Sequence, residues 1–185
     1  MMICTILVNY RQTTKTLQCL QALDSMSVIP DRVIIVDNGC SKESKNQLQS
    51  RKYRFRTDFL FNRDNLGFAA ACNQGINLAL SEDNSCDIWL LNNDTIPEKE
   101  ALKELVQKAS KTQAGITGSA IYTEKGVFSG GAGRTHPHLA TVSRIKSPDD
   151  KDFDYIEGSS FFISHDCLEK TGFLSEDYFL YFEEN

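Results

Sequence analysis

The sequence lacks several features that would assign it to other classes of protein. Its wholly apolar runs are only a few residues long, whereas a membrane-spanning helix needs about 20 apolar residues. It has no basic surplus: 20 basic and 25 acidic side chains give a net charge of −5, which argues against bulk binding of nucleic acid. The first residues lack the basic lead and the small-residue cleavage site of a signal peptide. The sequence therefore predicts a globular protein of the cytoplasm, without membrane spans.

Several enzyme and metal motifs are missing as well. No two of the six cysteines are closer than 14 residues, so the chain has no C-x-x-C pair, and we expect reduced thiols. There is no G-x-x-x-x-G-K-[ST] loop and no G-x-S-x-G elbow, which argues against P-loop kinases and the usual hydrolases. His136 and His138 are expected to be loop residues rather than a metal-binding pair.

Short apolar runs alternate with amphipathic stretches over the first 112 residues. The runs predict buried strands, which cover residues 3–8, 33–36, 58–61 and 88–91. The stretches between and after them predict helices, which cover residues 13–26, 67–80 and 97–111, the last with Pro97 in its first turn. This order predicts an α/β fold, with an open, mostly parallel, twisted sheet flanked by helices.

The second part of the chain is less regular. It predicts a strand over residues 116–122, a flexible glycine turn over 129–133, a polar stretch over 134–154 and a bent strand over 155–163. A short helix over 165–171 is expected to be closed by Gly172. The last residues are strongly apolar and then acidic, so we expect the chain to be the N-terminal part of a longer one.

Every predicted parallel strand ends in a cluster of polar residues. Because ligands of open α/β sheets bind outside the carboxyl ends of the strands, these clusters are the candidate site. They are Asn9-Tyr10-Arg11, Asp37-Asn38, Asn62-Arg63-Asp64-Asn65 and Asn92-Asn93-Asp94.

The residues at these strand ends each admit a chemical role and an ordinary structural one. Asp37 can accept from the imide N–H of uracil or thymine or from ribose hydroxyls, but it can also form an Asx turn. Asn65 and Gly67 open a helix whose free N–H groups suit phosphate, but from this segment alone an ordinary Asn N-cap is the favoured explanation. Asn73, a poor helix former inside the same helix, is expected to reach into the cleft.

The acidic candidates, too, have both a chemical and a structural interpretation. Asp94 can hold Mg²⁺ or Mn²⁺ together with phosphate oxygens and water, or it can cap the helix that follows. Glu183 and Glu184 follow an aromatic run that can raise a carboxyl pKa toward that of a general base, or they can form a solvated tail.

Taken together, these segments resemble the inverting family 2 glycosyltransferases with a GT-A fold, and most of all their bacterial rhamnosyltransferase-like branch. The resemblance depends on six segments in the same order along nearly the whole chain. They are Thr5-Ile6-Leu7-Val8-Asn9-Tyr10, Val36-Asp37-Asn38-Gly39, Asn65-Leu66-Gly67-Phe68 through Asn73-Gln74-Gly75, Trp89-Leu90-Leu91-Asn92-Asn93-Asp94-Thr95, Glu157-Gly158-Ser159-Ser160-Phe161-Phe162-Ile163, and Phe179-Leu180-Tyr181-Phe182-Glu183-Glu184.

The resemblance implies one GT-A domain over residues 1–185, with a Rossmann-like nucleotide-sugar-binding half (1–112) and an incomplete acceptor half (113–185). The donor would be a UDP- or dTDP-linked sugar, and the enzyme a metal-dependent hexosyl or deoxyhexosyl transferase. Binding of this donor would involve Asn9, Tyr10, Arg11, Asp37, Asn65, Gly67, Asn73, Asn92, Asn93 and Gly158. Asp94 would hold the Mg²⁺ or Mn²⁺, and Glu184, with Glu183 beside it, would be the catalytic base.

The resemblance also implies an acceptor and a location. The acceptor would be a saccharide or lipid-linked saccharide in the synthesis of bacterial surface polysaccharide, with peripheral association at the inner membrane face. The family has Asp where this chain has Glu184, and family members continue well beyond residue 185. A non-catalytic sugar-nucleotide-binding module is therefore one alternative. A sugar-phosphate nucleotidyltransferase is another, although the first strand lacks the glycine-rich loop that such an enzyme needs.

Overall fold

A computed structural model describes residues 2–139 and 141–177 of the chain. Its helices are α1 (Thr13–Asp24), α2 (Lys42–Leu48), α3 (Phe68–Leu80), α4 (Ala101–Thr112) and α5 (His165–Thr171). The strands of the main sheet are β1 (Ile3–Asn9), β2 (Arg32–Asn38), β3 (Arg56–Asn62), β4 (Asp87–Asn92), β5 (Ile116–Gly118) and β11 (Ser160–Ile163). The remaining strands are β6 (Ile121–Tyr122), β7 (Phe128–Gly130), β8 (Ala132–His136), β9 (Thr141–Arg144) and β10 (Tyr155–Ile156).

The main sheet has the strand order β3-β2-β1-β4-β11-β5. Strands β3, β2, β1 and β4 run parallel, and β11 runs antiparallel to both of its neighbours. The carboxyl ends of the four parallel strands therefore meet at one edge of the sheet. The prediction of an α/β fold with a mostly parallel sheet is confirmed.

Helices cover both faces of the sheet, which explains the uninterrupted apolar runs of its strands. Side chains of a strand alternate between faces, so Leu7 and Ile35 join the core beneath α1 and α4, while Ile6 and Ile34 join the core beneath α3. Helix α3 lies very close to the sheet: a Cβ on Gly75 would be only 2.7 Å from Cγ2 of Ile6. The small residues of α3 therefore bring its start close to the edge where the parallel strands end.

A network of charged side chains lies at the amino ends of β2 and β3, the edge of the sheet opposite to the carboxyl ends of the strands. The side chain of Arg32 is 2% exposed, and its Nε lies 2.6 Å from Asp58 Oδ2. The same guanidinium donates to the carbonyl of Leu78 at 3.2 Å and to Glu82 at 3.3 Å. Arg56, which is half-exposed, pairs with the same two carboxylates. Arg32 therefore ties β2 and β3 to the C-terminal end of α3.

Helix α4 begins later than the sequence predicts. Its first residue is Ala101, whereas the expectation was Pro97 in the first turn. Thr95 folds back on Asn92 by two hydrogen bonds, from its N–H at 3.1 Å and from its hydroxyl at 2.7 Å. The carbonyl of Lys99 accepts from the N–H of Ser27 at 3.0 Å. These contacts hold residues 95–99 in an irregular turn, so the helix cannot start there.

Three expectations for the second part of the chain are also corrected. The strand expected over residues 116–122 is divided, because β5 pairs with β11 whereas β6 pairs with β7. The glycine-rich stretch 129–133, expected to be a flexible turn, contributes to β7 and β8. The bent strand expected over 155–163 is two strands in different sheets, since β10 pairs with β8 and β11 pairs with β4.

Two further observations complete the fold. Helix α5 ends at Gly172 as the sequence predicts. Across residues 2–139 and 141–177, no helix is long and apolar enough to cross a membrane.

Candidate functional site

A buried hydrogen-bond network joins the carboxyl ends of β1, β2 and β4. Asn9 and Asp37 are opposite each other in the register of β1 and β2, and Asn9 Nδ2 donates to Asp37 Oδ1 at 2.6 Å. The hydroxyl of Thr16 donates to Asn9 Oδ1 at 2.8 Å, and Asn93 Nδ2 donates to Thr16 Oγ1 at 2.9 Å. The structure thus brings three predicted residues together and adds Thr16, which the sequence did not single out.

The second oxygen of Asp37 is held from another element. Ser44 Oγ donates to Asp37 Oδ2 at 2.5 Å. Ser44 is fixed in turn by the capping box of α2, in which the Ser41 N–H donates to Ser44 Oγ at 2.9 Å and the Ser44 N–H donates to Ser41 Oγ at 3.0 Å. Each carboxylate oxygen has two lone pairs, so Asp37, itself 1% exposed, keeps acceptor capacity in a fixed orientation.

A cleft of about 760 Å³ lies between the starts of α1 and α2, with Asp37 among its lining residues. Arg11 and Lys15 also line it and contribute positive charge. The N-cap residue of α1, Gln12, makes no side-chain capping hydrogen bond to the first-turn N–H groups of the helix. Such groups, together with basic side chains, are suited to phosphate oxygens.

An aromatic ring lies beside this cleft. Tyr10 is 41% exposed, and its ring packs over Gly39, where an added Cβ would lie 3.1 Å from Tyr10 Cε2. Gly39 has φ +95°, a conformation that favours glycine. The guanidinium carbon of Arg11 lies 5.2 Å from the centre of the Tyr10 ring. The site therefore combines a stacking surface, a fixed carboxylate and basic groups.

Asn38 organises the loop at the start of α3. Its Nδ2 donates to Asn65 Oδ1 at 2.7 Å and to the Gly67 carbonyl at 3.0 Å, and its Oδ1 accepts from the Leu66 N–H at 3.0 Å. The N-cap position belongs to Gly67, whereas Asn65 accepts from the Gly67 N–H at 3.1 Å. The alternative in which Asn65 is an ordinary N-cap is therefore wrong, because Asn65 is held by Asn38 two residues before the cap.

The end of β4 contacts the turn that contains Gly158. The Asn92 N–H donates to the carbonyl of Ser159, which follows Gly158 in that turn, at 3.0 Å. Asp94 follows as a half-exposed carboxylate, and Lys15 Nζ lies 3.5 Å from its Oδ2. Since Lys15 also lines the cleft, Asp94 is near the cleft's basic side.

The residues around Asp94 limit the kind of metal site that can form. No group of three His, Cys, Asp or Glu side chains that could hold a metal ion occurs among residues 2–139 and 141–177. A cation at Asp94 would therefore need most of its oxygen ligands from a bound molecule and from water. Mg²⁺ is commonly held in this way, with one or two carboxylates and substrate phosphates. Asp94 is therefore suited to a cation whose other ligands are oxygens of a bound substrate and of water.

Of the remaining predicted site residues, Asn73 lies apart from the cleft, and the acidic pair cannot be placed from the described residues. Asn73 hydrogen-bonds to Leu174 and Glu176 and thus lies in a separate cluster. Glu183 and Glu184 lie outside the described residues.

The structure also adds residues that the sequence did not single out. Besides Thr16, these are Ser44 and Lys15. The available signals were a polar residue on the buried side of α1 and the Ser41-x-x-Ser44 spacing that is typical of a helix start.

Known proteins match both the sequence and the fold. The family model described as Glycosyl transferase family 2 matches residues 4–172. The low-salt glycan biosynthesis hexosyltransferase Agl10 of Haloferax volcanii is 24% identical over 185 residues, covering 97% of this chain and 58% of that protein.

Two solved structures of S. aureus TarS residues 1–349 are similar to the fold. The complex with UDP has a TM-score of 0.64 at 15% identity, covering 100% of this chain and 53% of TarS. The complex with UDP-GlcNAc has a TM-score of 0.53 at 16% identity. This match covers 63% of this chain and 33% of the TarS chain. The chain thus spans 58% of the length of Agl10 and at most 53% of TarS residues 1–349, and the likeness of the folds supports the predicted GT-A architecture. Since the family model covers most of its length, the chain belongs to glycosyl transferase family 2.

Proposed function

We propose that the chain binds a UDP- or dTDP-linked sugar in the cleft between α1 and α2 and transfers the sugar to an acceptor hydroxyl. The observation that carries this proposal is the Asn9–Asp37–Ser44 network beside the exposed ring of Tyr10. Membership of glycosyl transferase family 2 supports sugar transfer. The UDP and UDP-GlcNAc bound in TarS support a nucleotide-linked donor, and Agl10 supports a hexose as the group transferred.

Asp37 is suited to recognise the base. An ionised carboxylate only accepts hydrogen bonds, and the imide N–H of uracil or thymine is a donor at the centre of the base edge. Asn9 and Ser44 hold the carboxylate at 2.6 and 2.5 Å, so little freedom is lost when a base binds. The Tyr10 ring supplies a face on which the flat base can stack.

Positive groups of the same cleft are suited to the diphosphate. Arg11 and Lys15 line the cleft together with the first turn of α1. Positive charge and aligned backbone N–H groups favour an anion at that position. Asn65 and Gly67, fixed by Asn38, are proposed to shape the rest of the donor pocket, together with Gly158 in the turn that contacts Asn92 through Ser159.

Asp94 is proposed to hold Mg²⁺ or Mn²⁺ together with the donor's diphosphate. The bound cation would offset the charge that develops on the leaving diphosphate. Lys15, which lines the cleft, has its Nζ 3.5 Å from Asp94 Oδ2, so this carboxylate lies near the cleft.

Glu184, with Glu183 beside it in sequence, is proposed as the general base. It would take the proton of the acceptor hydroxyl while the acceptor oxygen bonds to the anomeric carbon and the bond from that carbon to the diphosphate breaks. A single displacement of this kind inverts the configuration at the anomeric carbon. The nucleoside diphosphate leaves with the electron pair of the broken bond.

The finer assignments are part of the same proposal. We infer membership of the rhamnosyltransferase-like branch and a saccharide or lipid-linked saccharide acceptor in surface polysaccharide synthesis. We infer also that the protein works in the cytoplasm, with peripheral association at the inner membrane face. The six ordered sequence segments support these assignments.

Donor binding without transfer is the second candidate function. It is favoured by the share of the relatives that the chain spans, 58% of Agl10 and 53% of TarS residues 1–349. The two functions differ in one product, because only transfer or hydrolysis releases the nucleoside diphosphate from the donor sugar.

Thermal unfolding with a panel of UDP, dTDP, GDP and NAD, each with and without Mn²⁺, tests the proposal. A ligand at 100 times its dissociation constant stabilises the native state by about 2.7 kcal/mol. For a domain of this size, that corresponds to an increase in Tm of roughly 5–10 °C. We expect this increase with UDP or dTDP and Mn²⁺, and smaller changes with GDP and NAD.

Two variants distinguish metal binding at Asp94 from a general effect of removing one negative charge. Asp94→Asn is expected to lose the Mn²⁺-dependent part of the increase, whereas Asp149→Asn, the same change at an exposed site outside the cleft, is expected to keep it. An increase that persists in Asp94→Asn would contradict the metal assignment. A folded protein that responds to neither pyrimidine nucleotide would contradict the donor site itself.

A further inference from the structure

Asn73 is a buried amide in a helix whose other buried residues are apolar. It is 4% exposed and lies on the inner face of α3, among alanines, Cys72, Gly75 and Ile76. A buried amide is stable only when its donors and acceptor have partners. The identity of these partners therefore shows what the residue does.

The partners of Asn73 come from a stretch about a hundred residues later in the chain. Asn73 Nδ2 donates to the Leu174 carbonyl at 2.9 Å, and Asn73 Oδ1 accepts from the Leu174 N–H at 3.1 Å. The second N–H of the same amide donates to Glu176 Oε1 at 2.8 Å. Both donors and the acceptor of Asn73 are thus directed to residues 174–176, here termed the anchored segment.

The anchored segment has no regular secondary structure in the described part of the chain. The two hydrogen bonds between Asn73 and Leu174 satisfy the backbone N–H and carbonyl of Leu174, as pairing with a neighbouring strand would. The side chain of Leu174 also packs against the core beneath α3. Asp at position 73 would lack the two donors, and Ala would lack all three groups, so these bonds require an amide of this length.

Helix α3 links this contact to the cleft. It begins directly after Gly67, in the loop that Asn38 and Asn65 hold at the end of β2, and Asn73 lies about one and a half turns further along. On the other side of the contact, the sequence continues from Glu176 toward the predicted acidic pair Glu183 and Glu184. Asn73 thus joins the helix of the proposed donor pocket to the chain that carries the proposed base.

We propose that Asn73 is a positioning residue, which fixes the anchored segment against the helix of the proposed donor pocket; from this segment the chain continues in sequence to the proposed base. This inference rests on the proposed function. It differs from the sequence-based hypothesis, in which Asn73 contacts the donor itself, and it makes the opposite prediction for nucleotide affinity. The contact should affect turnover, and leave nucleotide binding unchanged.

The test compares Asn73→Asp with Asn77→Asp in the full chain. Asn77 lies on the exposed face of the same helix, so the control makes the same chemical change without touching the anchored segment. Three quantities are measured: hydrogen exchange at the Leu174 amide, the dissociation constant of UDP, and release of UDP from UDP-GlcNAc with kcat and KM determined separately.

For Asn73→Asp, we expect exchange at Leu174 to become roughly tenfold faster or more, because the carboxylate lacks both donors and repels the Leu174 carbonyl and the Glu176 carboxylate, so that the anchored segment is released. We expect kcat to fall by a similar factor, with the UDP dissociation constant and the donor KM within about twofold of wild type. Asn77→Asp should match the wild type in all three. A purely structural role would change the stability of the protein without separating kcat from KM.

Several results would overturn the inference. Unchanged exchange at Leu174 would show that Asn73 does not hold the segment, and unchanged kcat with faster exchange would show that the hold has no effect on turnover. Weaker UDP binding in Asn73→Asp, but not in Asn77→Asp, would support the sequence-based hypothesis that Asn73 contacts the donor. If Asn73→Asp fails to fold, Glu176→Ala, which removes one bond from an exposed side chain, must show the same two changes to a smaller degree.

The same measurements distinguish this inference from the proposed function. A folded wild type that neither binds UDP nor releases it from the donor would contradict the proposed function, and this inference with it. A wild type that does both, combined with an Asn73→Asp variant equal to the Asn77→Asp control, would contradict this inference alone.

Discussion

Replacing Asp37 by Asn tests how the base is recognised. Asn has the same shape, so Asn9 Nδ2 can still donate to the oxygen that it contacts at 2.6 Å. The new amide nitrogen would face Ser44 Oγ, which can rotate from donor to acceptor. The fold should therefore survive, and the loss should appear in ligand binding.

The expected magnitude follows from the loss of charge. A hydrogen bond to a charged group contributes about 1.5–3 kcal/mol, and a neutral one about 0.5–1.5 kcal/mol. The difference, about 1–1.5 kcal/mol, corresponds to a roughly five- to twelvefold increase in the dissociation constant of UDP. Cytosine presents an acceptor at N3 where uracil presents a donor, so the variant should lose most of its preference for UDP over CDP.

The assay is isothermal titration of UDP and CDP into the wild type, Asp37→Asn and Asp149→Asn. Asp149→Asn makes the same change of charge at an exposed site outside the cleft and should bind as the wild type does. An unchanged affinity for UDP in Asp37→Asn would refute the contact. Equal weakening of UDP and CDP would place the contact at the ribose that they share and would contradict base recognition.

Further predictions concern stability and the cleft wall. Arg32→Met should lower the free energy of unfolding in urea by about 3 kcal/mol or more, because it removes a buried charge whose partners stay behind, and by more than the exposed Arg56→Met does. Gly39→Ala should cost about 1–3 kcal/mol, since φ is +95°, and should weaken UDP binding by displacing Tyr10. Burial raises the pKa of the Cys4 and Cys19 thiols from 9.0 to about 12. Unfolded thiols therefore release their protons first as the pH rises above 9, and the free energy of unfolding should fall by about 1.4 kcal/mol per pH unit for each thiol until the folded pKa is reached. Constant stability above pH 9 would contradict that burial.

The parts of the fold that could be predicted from the sequence are those in which local pattern and tertiary packing agree. Strands β1, β2 and β4 are covered on both faces, so their burial appears directly as continuous apolar runs. Helix α2 was missed because Leu48 is its only buried residue and it has no apolar stripe; the capping box of Ser41 and Ser44 defines its start. Helix α4 was placed too early because its start depends on contacts with Ser27, far away in the sequence.

The residues of the candidate site also fall into those that could be predicted from local sequence and those that could not. Asn9, Asp37 and Asn93 could be predicted to lie together, since each follows a strand and parallel strands end at one edge of the sheet. Thr16 could not be singled out, because its role depends on hydrogen bonds to residues of two other elements. Asn73 was noticed as an unusual helix residue, but a partner 101 residues away leaves no trace in the local pattern.

The most direct test of the account is an amide NMR titration of the wild-type chain with UDP in the presence of Mg²⁺. The account predicts the largest shift changes at the carboxyl edge of the sheet and the starts of α1 and α2, with Asn9, Arg11, Asp37, Gly39 and Ser44 among the affected amides. The residues around Arg32, at the opposite edge, should be unaffected. Changes centred elsewhere, or saturating UDP without any change at the cleft, would contradict the central claim that this edge of the sheet binds the donor nucleotide.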